Sequence, residues 1–218
     1  MNPQACYDEY LDGLLHGQRG QCERIVRALL AQAWPVRELY GSLFRPALYQ
    51  VGALWQANCI AVATEHRATA ITQDLMNDLV APLLFARQPV GRSLLVACQA
   101  NDFHQVGGRM VADIAELNGW DTCFLGADTA LTTLLREIDA KRPDALALSV
   151  AFYQGLAGPR LTLAALQERH PALPVWIGGQ ALATSGQELA ADYAQVQLFT
   201  ALEDFESELQ RRAAPLAG

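Results

Sequence analysis

The sequence predicts two domains, a four-helix bundle followed by an α/β domain built on a five-stranded parallel sheet. Three observations predict it. Apolar positions recur at helical spacing to about Leu84, Gln88-Pro89-Val90-Gly91 interrupts that pattern, and beyond it five short apolar or β-branched runs alternate with amphipathic segments. At 218 residues, 51% of them hydrophobic, the chain is long enough to bury a core in each part. The boundary is expected between residues 1–88 and 89–218.

The first helix is expected from Pro3 to His16, closed by the Gly17 to Gly20 break, and the second runs through Ile25, Val26, Leu29 and Leu30 to Trp34-Pro35. Pro35 suits the first turn of a third helix, which carries Leu39, Phe44, Leu48, Val51 and Leu54, is kinked by Pro46 and ends near Asn58. A fourth runs from Val62 to Leu84 with Ile71, Leu75, Leu79 and Leu83 on one stripe. In the second part, strands are expected at Leu94 to Cys98, Thr122 to Leu125, Ala145 to Val150, Val175 to Ile177 and Val196 to Phe199. Helices at about 106–118, 129–141, 159–169, 183–192 and 201–213 fill the spaces between them, and Arg211-Arg212-Ala213-Ala214-Pro215 reads as a frayed tail. Such a sheet binds ligands beyond the carboxyl ends of its strands, near a topological switch point.

One motif falls at that position. Asp102-Phe103-His104-Gln105-Val106-Gly107 reads D-x-H-x-x-G directly after the first strand. A loop histidine there is placed to ligate a metal through one ring nitrogen. A carboxylate two residues earlier accepts the hydrogen of the other nitrogen, which fixes the tautomer. Gly107 and Gly108 let the backbone turn tightly and pass close to a bulky ligand.

Composition narrows the functional classes. The formal net charge is −7, with acids in excess mainly after residue 91, and no basic arm, helix-turn-helix segment or zinc-finger spacing is present, so direct nucleic-acid binding is not expected. Cys6, Cys22, Cys59, Cys98 and Cys123 lack C-x-x-C spacing, and the start has no signal-peptide pattern, which together imply reduced thiols and a cytoplasmic location. No run reaches the roughly 18 apolar residues of a membrane span. No nucleophile–base pair stands apart from the motif, so turnover is not expected.

Trp55, followed after nine residues by Glu65-His66, then the motif at Asp102 to Gly107, is a combination that resembles the cobalamin-binding regulators, above all the light-sensing adenosylcobalamin repressors of the CarH type. The likeness covers nearly the whole chain. It implies a helical cap over the upper face of a corrin and a flavodoxin-like (Rossmann-like) cobalamin-binding domain beneath it. It further implies that His104 is the lower axial ligand of cobalt in place of the cofactor's dimethylbenzimidazole, with Asp102 orienting it and Gly107 admitting the nucleotide tail. Ser149 at the end of the third strand would hydrogen-bond that tail, and Gly178-Gly179 at the end of the fourth would leave it room. Trp55 would pack over the upper ligand, with Glu65 and His66 touching the adenosyl group.

Trp55 also fits an ordinary core position by its spacing from Leu48 and Val51, whereas a Glu-His pair within Ile60 to Ile71 must be solvated, mutually paired or bound. Two residues depart from the family pattern. Ala151 stands where Leu or Thr is frequent, and Gln56 stands where the best-known repressors carry a histidine that captures cobalt after illumination. An amide is a poor substitute for imidazole on cobalt. The resemblance implies a sensor acting through a transcriptional regulator, as an antirepressor would, or through self-association. A corrinoid carrier for a methyltransferase and a haem sensor share the scaffold and are the alternatives.

Overall fold

The computed structural model describes residues 2–151, 157–183 and 186–213. It divides into two compact units, Met1–Ala86 and Arg87–Gly218.

The first unit is helical. Helix α1 (Pro3–His16) starts on the Asn2 side chain, which accepts from the Gln4 N–H at 3.0 Å, and stops at Gly17, whose left-handed backbone (φ 69°) only glycine adopts freely. Helix α2 is Arg19–Ala31. Helix α3 comprises Val36–Glu38, a π-helical turn Leu39–Phe44 and Arg45–Gln56. Helix α4 comprises Val62–Leu75, a second π-helical turn Met76–Val80 and a 3₁₀ turn Ala81–Ala86. The expected Pro46 kink takes the form of the first π turn. The Arg45 N–H reaches back five residues to the Tyr40 carbonyl, so the wider turn accommodates a ring that would strike the preceding carbonyl in a regular helix. Pro35 lies one residue ahead of the helix and caps it in an extended conformation.

The bundle core gathers Tyr10, Leu14, Val26, Leu29, Leu39, Tyr40, Phe44, Leu75 and Met76, all fully buried. The rings of Tyr10 and Phe44 stack 5.4 Å apart. Thr72 Oγ1 donates to the Ala68 carbonyl, so the Tyr10 hydroxyl donates to Thr72 at 3.1 Å, and no polar atom of this buried pair lacks a partner.

The second unit is a five-stranded sheet in the order β2-β1-β3-β4-β5, parallel throughout. The strands are β1 (Ser93–Cys98), β2 (Asp121–Phe124), β3 (Ala145–Ser149), β4 (Val175–Gly178) and β5 (Val196–Phe199). Between and after them lie α5 (Val106–Leu117), α6 (Leu131–Lys141), α7 (Ala157–Arg169), α8 (Gly186–Ala191) and α9 (Leu202–Ala213). Alternate residues face opposite ways. Leu95, Ala97, Leu146, Leu148, Val175 and Ile177 form a core with Leu134, Ile138, Leu163, Leu166 and Leu189 of α6, α7 and α8. The other face carries α5 and α9. There Trp176 meets Trp120 and Phe205 edge-on at 5.7 Å.

The expected frayed tail is helical as far as Ala213. Glu208, itself nearly buried, holds both Arg211 and Arg212, and the Arg212 guanidinium lies over the Trp176 ring at 5.3 Å, so these cations cover apolar surface. Ala214 and Pro215 lie outside the described residues.

Gly179 admits no side chain, since with its φ of 124° a Cβ would stand 2.2 Å from the Val150 carbonyl oxygen, and a Cβ on Gly108 would press at 3.0 Å on Cys98 Sγ and the Phe124 ring. Gly179→Ala is expected to cost about 2 kcal/mol or more in urea denaturation. Gly52→Ala, in α3 with nothing within 4 Å of the new methyl, is expected to gain roughly 0.5–1 kcal/mol in the same assay.

Candidate functional site

The sheet order places β1 between β2 and β3, so the chain leaves β1 for one neighbour and later returns on its other side. That reversal is the switch point, and the loop after β1 and the end of β3 meet there. Their pairing continues to the last residues, with Cys98 opposite Ser149 and the Gln99 N–H on the Ser149 carbonyl at 2.9 Å.

Asp102 organises the loop. It is only 3% exposed, and its Oδ1 accepts from the His104 backbone N–H at 3.0 Å and sits 2.9 Å from His104 Nδ1. Its Oδ2 accepts from the Ala151 N–H at 2.6 Å. With a carboxylate as its neighbour, Nδ1 carries the hydrogen, which leaves the Nε2 lone pair for a ligand. The His104 side chain is 61% exposed, so that lone pair is accessible. The loop is tied from a second side as well. Asn101 and Asp128 both adopt left-handed backbone, the Asn101 N–H meets Asp128 Oδ1 at 2.7 Å, and the Asp128 N–H meets the Asp102 carbonyl at 2.9 Å. The Cys98 thiol donates to the His104 carbonyl at 3.9 Å.

The remaining residues of this half lie around the same point. Gly107 near the start of α5 faces β3, and a Cβ there would come within 3.9 Å of Ser149 Oγ, an ordinary contact, so the two elements approach closely at this point. Ser149 is half-buried and stands beside Gly178 in the β3–β4 register. Gly178 and Gly179 have a packing reason of their own, since their missing side chains allow close approach by the Phe199 and Val150 backbones. Sequence reasoning passed over Asn101 and Asp128, which carry no local signal for the bond that joins them across 27 residues.

In the bundle unit, Trp55 lies in the last turn of α3 and is 44% exposed, so it is not a core residue. Gln56 and His66 are exposed too, the latter with 74% of its side chain accessible. Glu65 accepts from Thr69 Oγ1 at 3.1 Å and lies 3.7 Å from His66 Nε2, so the pair is partly solvated and mutually paired. Arg67 reaches the other way, to the Leu15 carbonyl at 3.3 Å.

A doubly wound sheet whose switch point presents one exposed imidazole oriented by a buried carboxylate is an α/β domain built to hold a ligand at its strand ends. The comparisons give its family. Residues 92–206 match the B12 binding domain model, residues 6–79 match a second B12 binding domain model, and the chain belongs to this family of cobalamin-binding proteins. It is similar to the HTH-type transcriptional repressor CarH of Myxococcus xanthus, at 29% identity over 177 residues, 80% of this chain and 57% of that protein. To the repressor CarA of the same organism it is 37% identical over 89 residues, 40% of this chain and 30% of CarA. The chain thus spans 57% and 30% of the length of these two relatives. The fold is that of the monomethylamine corrinoid protein of Methanosarcina barkeri, with a TM-score of 0.79, 16% identity and coverage of 96% of this chain and 99% of the other. A cobalamin-binding protein from Desulfitobacterium hafniense superposes with a TM-score of 0.50 at 19% identity, over 94% of this chain and 97% of the other.

Burial, and after it the Asp102 charge, pushes the Cys98 thiol up to about 12, and burial pushes Cys22 in the bundle up to about 11. At neutral pH both are thiols, and Cys98 does not compete with His104 as a thiolate ligand. Protonated thiols whose folded pKa exceeds the unfolded value stabilise the fold fully below that value and lose the contribution as pH rises through the folded one. The urea midpoint is therefore expected to hold to about pH 9 and to fall between there and pH 11 to 12. At pH 8, iodoacetamide should modify exposed Cys59 well before Cys22 or Cys98, as read by peptide mass mapping.

Proposed function

We propose that this protein is a sensor of the light-responsive cobalamin class that acts through protein contacts rather than by turnover. In this reading it holds adenosylcobalamin with the nucleotide base off cobalt and His104 on it. The observation that carries the proposal is the dyad itself: a 2.9 Å contact between Asp102 and His104 Nδ1, on a carboxylate that is also tied to Ala151. That arrangement fixes both the tautomer and the direction of the free nitrogen, as a single strong metal ligand requires.

When bound, the cofactor supplies a cobalt–carbon bond that visible light breaks. The chain's own residues do the rest. His104 would hold the metal, Asp102 would fix its tautomer and aim it, and Gly107 beside Ser149 would admit the tail. Trp55, Glu65 and His66 are assigned to the adenosyl side, in keeping with an indole and an imidazole left exposed on their unit. Gln56 offers no imidazole, so the illuminated state would carry water or His66 as upper ligand. Loss of a ligand biases a two-state arrangement only through its differential contacts, and contacts with a regulator or with a second copy are the proposed output. The names of the repressor relatives support a regulatory role.

Absorption spectra after addition of adenosylcobalamin, methylcobalamin or haemin, before and after green light, test the reading. Tight adenosylcobalamin binding with an irreversible change on illumination is expected. Spectra of the free cofactor throughout would overturn it, a haemin complex alone would favour a haem sensor, and methyl transfer to a thiol by a partner enzyme would favour the carrier alternative. His104→Ala should remove the histidine nitrogen from the cobalt(II) EPR spectrum while the melting temperature changes little. Asp102→Asn should weaken cobalamin binding by about 10–100-fold, measured by spectral titration.

A further inference from the structure

Among the described residues of the second unit, Gln195 Nε2 and the Trp176 indole N–H are buried donors without an acceptor, and the latter lies within the sheet itself. Trp176, in the middle of β4, is 2% exposed, and its Nε1–H finds no hydrogen-bond partner. A buried N–H left unmatched is costly enough that such groups are few in folded proteins. The neighbouring Trp120, on the same face, shows the ordinary outcome, since its Nε1 donates to the Leu209 carbonyl at 3.3 Å.

The location gives the unmatched donor a meaning. Trp176 is on the face covered by α5 and α9, with Phe205 of α9 against its ring and Arg212 above it. Its register partner on β3 is Ala147, and one step nearer the strand ends the same face carries Ser149 and Gly178. Gly107 of α5 faces Ser149, whose Oγ lies 3.9 Å from where a Cβ of residue 107 would stand. A lane of small side chains therefore runs down this face from the switch point, and Trp176 stands two residues deeper than Gly178, about 7 Å along the strand.

A base-off cofactor brings the complementary problem. When an imidazole of the protein replaces the benzimidazole on cobalt, the benzimidazole nitrogen that had ligated the metal becomes a free acceptor, and burying the tail leaves it without a donor. We propose that the Trp176 indole N–H donates to this nitrogen, so that Trp176 is a specificity-determining residue for the nucleotide base at the deep end of the tail slot. Ser149, higher in the lane, serves the nearer part of the tail. The proposal rests on the base-off, His-on reading above.

Cobinamide, the same corrin without nucleotide, separates the contributions. Trp176→Phe in the full chain keeps an aromatic ring and removes only the donor and some area. It should weaken cobalamin binding about tenfold and leave cobinamide affinity unchanged. Equal losses for both ligands, or no loss for either, would overturn the proposal. Indole N–H resonances of the unmodified, ¹⁵N-labelled chain give a second reading that does not depend on the variant folding. The Trp176 peak, assigned through its contacts with the Phe199 and Phe205 rings, should move downfield with cobalamin and stay in place with cobinamide, and an unmoved peak with both ligands would also overturn it. EPR of the cobalamin complex with ¹⁵N-histidine separates the two readings. Absence of a histidine nitrogen on cobalt removes the parent reading, whereas its presence with an indifferent Trp176→Phe removes the present inference alone.

Discussion

The Asp102 carboxylate makes bonds in two directions at once, to the backbone and ring of His104 through one oxygen and to the Ala151 N–H through the other. It thereby joins the loop after β1 to the end of β3, the two segments that diverge at the switch point. An almost fully buried carboxylate is tolerated only when its lone pairs are occupied, and here three N–H groups occupy them. The same bonds that meet this requirement also fix where the imidazole points. Loop stability and ligand geometry are therefore one constraint, and the Asn101–Asp128 bond reinforces it from the loop after β2 and the Cys98 thiol from the end of β1.

Much of this was readable in the chain. The five strands lie within a residue or so of their expected positions because each is a short apolar run bounded by turn residues, and parallel strands buried on both faces need such runs. The D-x-H-x-x-G motif could be placed at the switch point because it follows the first strand directly, and the family to which the chain belongs agrees with the cobalamin-binding character that the motif and Trp55-x9-Glu65-His66 suggested.

Other features had no local signal. The bond from Ala151 to Asp102 joins positions 49 residues apart and uses a backbone N–H, which any residue type supplies, so the departure at Ala151 is invisible to it. Arg211 and Arg212 looked like a charged tail because the sequence does not show that Trp176, far earlier in the chain, offers a ring for one of them to cover. Gly178 and Gly179 read as clearance for a ligand, yet neighbouring backbone occupies the space that side chains would need. Trp55 had the spacing of a core residue and lies at the surface because the helix ends one residue later, at Gln56.

The π turn Leu39–Phe44 has a consequence for the far end of its helix. Such a turn holds one residue more than an α-helical turn, and each residue in an α-helix advances the azimuth by about 100°. Everything after Phe44, including the exposed indole of Trp55, is thus phased by that single extra residue relative to buried Val36. Relatives that lack the insertion would need their aromatic one place along the chain to present it on the same bearing, so a count of residues between the two positions should vary in step with the presence of the wide turn.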